Sequence, residues 1–73
     1  MKITIESTSK VVQLNGLPAR IWEGFTESGI PVHCYITRIA VHKDLDTSEF
    51  EKELQGHRVP SPEIEAIPAR MVL

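Results

Sequence analysis

Residues 17–41, which read LPARIWEGFTESGIPVHCYITRIAV, decide the fold of this chain. Two runs rich in β-branched and aromatic residues flank Glu27, Ser28 and Gly29, which is the pattern of a β-hairpin. The third residue of such a loop commonly adopts a left-handed conformation, and glycine does so without steric cost. We therefore predict a hairpin in which Thr26 lies opposite Ile30.

This register divides the hairpin side chains between two faces of a sheet, because side chains alternate along a strand. One face is apolar, and we predict that it forms the core; it carries Trp22, Ile30, Val32, Cys34 and Ile36. The opposite face is mixed, and it carries Ile21, Glu23, Phe25, His33, Tyr35 and Thr37. A slip of one residue would exchange the faces of one strand, so the assignment depends on the turn.

The segment before this hairpin predicts two further strands. Ile3 and Ile5 alternate with polar residues over residues 2–6, and Val11, Val12 and Leu14 indicate a second short strand. The cluster at residues 7–9, Ser-Thr-Ser, indicates a turn between them. Asn15 and Gly16 are typical of a two-residue hairpin loop, because both tolerate positive φ. The first 41 residues thus predict an antiparallel β-meander of about four strands.

The pattern becomes helical after residue 42. Asp46 and Glu49 have the spacing of a capping box, and Gly56 is a typical residue after a helix end. These signals predict one α-helix over about residues 46–56, with Phe50 and Leu54 on one side, packed against the Trp22 face. Ser61 and Pro62 could start one short helical turn. Residues 69–73 predict a short C-terminal strand, so the fold class is a single α+β domain over 1–73.

One resemblance rests on residues 15–24, NGLPARIWEG, and on residues 37–41, TRIAV. With these phrases the chain resembles short uncharacterised accessory proteins of bacteria and their phages. The resemblance covers most of the chain. It implies a bacterial or phage accessory protein and attaches no activity to it.

Length, charge and cysteine content exclude several classes of protein. A chain of 73 residues buries a small core, and proteins of this size often add disulfides, metals or oligomerisation. The single cysteine rules out an internal disulfide and is typical of the cytoplasm. The net charge of −2 and the absence of a basic tract make nucleic acid an unfavoured partner. No apolar run is long enough to span a membrane, and the N-terminal residues do not resemble a signal peptide.

Two arginines form the predicted ligand-binding pair. Arg20 lies opposite Ile36 in the predicted register, which places Arg38 diagonally beside it on the same face. Two guanidinium groups at one end of a sheet can bind a phosphate or carboxylate, as in a nucleotide. The alternative is that they form salt bridges with the helix acids Glu49, Glu51 and Glu53.

Other reactive residues lack the spacing that catalysis or metal binding requires. Cys34 and its neighbour His33 point to opposite faces of a strand, so we predict a buried, unreactive thiol. His33, His42 and His57 are too far apart in sequence to suggest a metal site, and no cofactor motif is present. Glu23 and His33 should face each other, more simply as a cross-strand polar pair than as an acid–base site.

The mixed face supplies the predicted interface, with Ile21, Phe25, His33 and Tyr35 as its residues. Apolar groups that one helix cannot cover usually mark an interaction site. We expect a homo-oligomer, most simply a dimer, joined through this face or an edge strand. The favoured function is a non-enzymatic binding or inhibitory protein that acts on a protein partner through this oligomeric surface. A binder of an anionic small molecule is the alternative, and a small enzyme is the least favoured class.

Overall fold

The computed structural model describes residues 1–67 and 70–71, and it shows a small α+β fold. Its elements in chain order are β1 (Ile3–Leu14), β2 (Leu17–Thr26), β3 (Pro31–Ile36), α1 (Ser48–Leu54), α2 (Pro62–Glu65) and β4 (Arg70–Met71). The strand order across the sheet is β3-β2-β1-β4. Strands β1, β2 and β3 form an antiparallel meander, whereas the two residues of β4 pair in parallel with Gln13 and Leu14. The remaining residues of the predicted C-terminal strand, 69 and 72–73, lie outside the described part.

Both predicted hairpins are confirmed. Asn15 and Gly16 have φ values of 51° and 82°, and Leu14 pairs with Leu17. At the second loop Gly29 has a φ of 87°, and the Thr26 N–H donates to the Ile30 carbonyl oxygen at 3.0 Å. The turn residues therefore set the register of β2 against β3 as the sequence predicted.

The prediction of four antiparallel strands was wrong, because residues 3–14 form one long strand. The register of β1 against β2 shifts between Ser7 and Val11, where the predicted turn becomes a β-bulge. Thr8 is completely buried in this bulge and donates its hydroxyl to the Ile21 carbonyl oxygen at 2.7 Å. Serine and threonine favour turns because their hydroxyls satisfy backbone groups, and here Thr8 does so inside a strand.

The structure also corrects the helices. Helix α1 begins at Ser48 rather than near Asp46, and its N-cap residue Thr47 makes no side-chain capping bond. Asp46 instead accepts a hydrogen bond from the Ser48 N–H at 3.0 Å, before the helix begins. A second helix, α2, follows at Pro62–Glu65, where the sequence indicated a short turn, and its N-cap Ser61 accepts from the Ile64 N–H at 3.5 Å.

The core lies on the mixed face, so the prediction of an apolar core around Trp22 was wrong. The buried apolar residues among those described are Val12, Ala19, Ile21 and Ile64, with Leu14, Tyr35 and Ile67 packed against them. Ile64 belongs to α2, which therefore covers this side of the sheet. We call this side the covered face. Helix α1 has no buried residue, and its Leu54 lies on the other side, near Trp22 and Ile36.

Candidate functional site

Glu23 explains why α2 lies on the covered face. Its carboxylate accepts hydrogen bonds from the Ser61 hydroxyl at 2.6 Å and from the Ser61 N–H at 3.0 Å. Arg58 places its guanidinium 3.2 Å from the same carboxylate. The Arg58 backbone in turn pairs with β1, donating to the Ser7 carbonyl oxygen and accepting from the Ser9 N–H. Glu23 on β2 thus binds the segment that enters α2 and places Ile64 over Ile21.

The environment of Glu23 stabilises its charged form. Burial by itself raises the pKa of this carboxyl group, since its side chain is only 14% exposed. The two hydrogen bonds from Ser61 and the charges of Arg58 and His33 outweigh burial and lower the pKa below its ordinary value. The folded protein therefore favours the carboxylate more strongly than the unfolded chain does.

This shift predicts a specific loss of stability in acid. A group whose folded pKa is lowered stabilises the fold above its ordinary pKa, here 4.5, and loses that contribution as the pH falls through the folded value. We expect the stability difference between the wild type and Glu23→Gln to be constant near neutral pH and to shrink below pH 4.5. Denaturant unfolding of both proteins across this range measures it. A difference that stays constant down to the acid limit would contradict the assignment.

Because α2 covers one face of the sheet, the other face keeps an apolar surface at the end near the β2–β3 loop. Its residues, which we call the open patch, are Ile3, Ile5, Ile30, Val32 and Cys34. Pairing of Ile5 with Gly24 and of Gly24 with Val32 places them on one side of three adjacent strands. Ile3 and Ile30 are 38% and 59% exposed, and the other three are half-buried. This patch is the strongest candidate surface, and sequence reasoning missed it because the same alternation predicted a core.

The predicted interface residues do not form one surface. Ile21 is 0% exposed and lies beneath α2. It belongs to the core, so its assignment to the interface was wrong. Tyr35 is half-buried against that core, and its hydroxyl lies 3.1 Å from His33 Nε2. His33 is exposed, and Phe25 is 58% exposed at the far end of the covered face. Since α2 covers the centre of this face, the apolar surface that stays exposed there is smaller than the sequence predicted.

The structure brings Arg20 and Arg38 to one concavity on the open side of the sheet, together with Trp22, Ile36 and Leu54. Arg20 pairs with Ile36, as predicted, and donates one N–H to the Thr8 carbonyl oxygen at 2.8 Å. Within residues 1–67 neither guanidinium lies within 4.0 Å of a carboxylate, so the alternative of salt bridges with the α1 acids is not seen there.

The contacts of Cys34, of the Glu23–His33 pair and of the histidines do not form a catalytic or metal site among the described residues. Cys34 pairs with Trp22 as predicted, but it is half-buried rather than buried. Glu23 and His33 are cross-strand partners, although Glu23 bonds to Ser61 and Arg58 instead of the imidazole. In the described part of the chain, no three His, Cys, Asp or Glu side chains are grouped as a metal site would need.

Comparison with protein-family models, with curated proteins and with solved structures gave no match to this chain. The resemblance of residues 15–24 to bacterial and phage proteins thus stays a prediction. Among the helices that the structure describes, none has the length and apolarity to cross a membrane.

Proposed function

We propose that the protein is a non-enzymatic binding protein that acts as a homodimer joined through the open patch. One observation carries the proposal: α2 covers one face of the sheet, and the open patch on the other face consists of side chains that are apolar and carry no charge. Exposed apolar patches that span several strands usually mark interaction sites. The resemblance in sequence supports an accessory protein of a bacterium or phage, and the single cysteine supports a cytoplasmic location.

The exposed surface of the chain favours a second copy as the occupant. A compact monomer of this mass should expose about 4,500 Å². The chain exposes 5830 Å², and its radius of gyration is 13.4 Å where about 11 Å is expected for its length. This total counts every exposed part of the chain, including helix α1, which has no buried residue, so only part of the excess belongs to the open patch. A symmetric dimer would cover that part by packing the patch against its own copy, which is the commonest arrangement in soluble oligomers.

Packing through the face is favoured over pairing of edge strands. Strand β3 is at the edge of the sheet, but it begins with Pro31, which has no N–H to donate. The side chains of Val32 and Cys34 on this strand belong to the open patch and carry no charge. Glu53 and Arg58 line a depression together with Ile5 at the border of the patch, so two copies packed face to face must leave that border in water, since burial of an ionised group would oppose association.

Two exposed residues on opposite faces test this assignment as a matched pair. Ile30 and Phe25 are 59% and 58% exposed, and both lie near the β2–β3 loop. We expect Ile30→Asp to weaken the dimer at least about thirtyfold, because it buries a carboxylate in an apolar interface. Phe25→Asp should leave the dimer dissociation constant unchanged. Sedimentation equilibrium of the two variants measures both constants.

The opposite result would overturn the proposal. If Phe25→Asp dissociates the dimer and Ile30→Asp does not, the interface lies on the covered face near His33. Circular dichroism of both variants serves as the control for folding, since neither side chain is part of the buried core.

A further inference from the structure

The concavity that contains Arg20 and Arg38 has a volume of about 300 Å³, which is at the lower end of the range for small-molecule sites. Its walls are mainly apolar, with Trp22 and Ile36 from the sheet and Leu54 from α1. It lies beyond Trp22, at the end of the sheet away from the open patch. Trp22 pairs with Cys34 of the open patch, so the two surfaces adjoin, but no residue of the patch lines the concavity.

The fold holds the Arg20 guanidinium by a hydrogen bond and brings Arg38 to the same concavity. Arg20 is held by its bond to the Thr8 carbonyl oxygen, which uses one of its five N–H donors. Thr8 is itself buried in the β1 bulge, so the bulge fixes the Arg20 side chain. The pairing of Arg20 with Ile36 places the last residue of β3 beside Arg20, and Arg38 comes two residues later in the chain. Because the Arg20 guanidinium is already held in place, it loses less conformational entropy when it binds an anion.

The charge of the concavity is positive. No acidic residue is among the described side chains that line it, whereas both arginines are. Glu51 shares a neighbouring depression with Arg20 and Leu54, but within residues 1–67 it makes no ion pair with Arg20. Both cations attract an anion; solvent screens the exposed Arg38, whereas Arg20 is half-buried beside the apolar wall and is screened less.

We propose that this concavity binds a small molecule that joins one anionic group, a phosphate or carboxylate, to a flat apolar ring. The anionic group accepts hydrogen bonds from Arg20 and Arg38. The ring packs between Trp22, Ile36 and Leu54. Neither half of such a ligand fits the site alone, since a bare anion leaves the apolar wall unused and a neutral ring leaves both cations unpaired.

Trp22 is the only tryptophan in the chain, so its fluorescence reports on the site directly. We expect phenyl phosphate to change Trp22 emission in a saturable way, with phenol and inorganic phosphate each binding at least about tenfold more weakly. Benzoate, in place of phenyl phosphate, distinguishes a carboxylate from a phosphate ligand. Adenosine monophosphate tests whether the ring can be a nucleobase. Binding of inorganic phosphate as tight as that of phenyl phosphate would overturn the role of the apolar wall.

Substitutions at Arg38 distinguish binding in this concavity from a nonspecific effect of the net charge of the protein. Arg38 is exposed, so its replacement should not affect folding. We expect Arg38→Lys to weaken phenyl phosphate binding about tenfold, because a point charge cannot replace a planar fork, and Arg38→Gln to weaken it further. The matched control is Lys2→Gln, which removes one exposed charge before β1 and should not change binding. Equal affinity in the wild type and Arg38→Gln, or no binding of any aryl anion, would refute the proposal.

Failure of this test would leave the proposed dimer untouched. Ile30→Asp, which splits the dimer, should still bind phenyl phosphate, because Ile30 does not line the concavity.

Discussion

Gly24→Ala is expected to lower the free energy of unfolding by at least about 3 kcal/mol, at the upper end of the cost of overpacking. A Cβ atom at this position would overlap the Thr4 carbonyl oxygen and contact the Ile5 Cα on the neighbouring strand. These are backbone atoms, so they cannot rotate away as a flexible side chain would. Strand β1 would have to separate from β2 at the pair that joins Ile5 to Gly24.

Gly56→Ala is the matched control for this experiment. Its added Cβ would lie 3.4 Å from the Glu53 carbonyl oxygen, an ordinary contact, and the backbone of Gly56 does not have positive φ. We expect the free energy of unfolding to stay the same or to rise by up to about 1 kcal/mol, since alanine restricts the unfolded chain. Urea denaturation of both variants gives the comparison. If Gly24→Ala is as stable as Gly56→Ala, β1 and β2 do not approach as closely as the structure shows.

Glu23→Ala has the second large expected effect. The substitution removes the acceptor of two Ser61 hydrogen bonds and leaves Arg58 without its closest carboxylate. Hydrogen bonds to charged groups contribute about 1.5–3 kcal/mol each, and these share one carboxylate, so we expect a total loss of about 3 kcal/mol. A loss of this size lowers Tm by more than about 10 °C in a domain of this length. Thermal unfolding followed by circular dichroism measures it.

Glu6→Ala separates this role from simple loss of charge. Glu6 pairs with Glu23 across β1 and β2 and also contacts Arg58, at 3.5 Å, but its side chain is 75% exposed. Exposed ion pairs contribute little, because water and salt screen them. We expect Glu6→Ala to change Tm by only a small amount. Equal effects of the two variants would show that Glu23 acts through net charge rather than by binding the start of α2.

Local signals in the sequence predicted the hairpins well. Asn15, Gly16 and Gly29 adopt positive φ, which few other residues tolerate, so short segments suffice to locate both turns and to set the register. The same register also predicted that Arg20 and Arg38 lie near each other. These features depend on residues that are close together along the chain.

The choice of the covered face could not be predicted in the same way. Alternation shows which side chains share a face but not which face another element covers. That choice depends on the bonds between Glu23 and Ser61, which are 38 residues apart in the chain. Glu23 resembled an exposed strand residue, and Ser61 resembled the cap of an isolated turn. The hydrogen bonds between Glu23 and Ser61 place α2 over Ile21, so the apolar surface that stays exposed is the open patch on the other face.

The Ser-Thr-Ser cluster at residues 7–9 shows a second limit. The same hydroxyl groups that close a turn also satisfy the backbone within a bulge. Only the bond from Thr8 to the Ile21 carbonyl oxygen of β2 distinguishes the two outcomes. The pattern of residues 7–9 therefore predicted a turn between two strands, whereas the contact between Thr8 and Ile21 keeps residues 3–14 in one strand.

The molar mass of the wild-type protein in solution tests the central claim most directly. The claim is that the open patch joins two copies of the chain. Light scattering across a concentration series should give twice the 8.2 kDa of one chain at the higher concentrations, with a fall toward that value on dilution. A mass of 8.2 kDa at every concentration would contradict the homodimer.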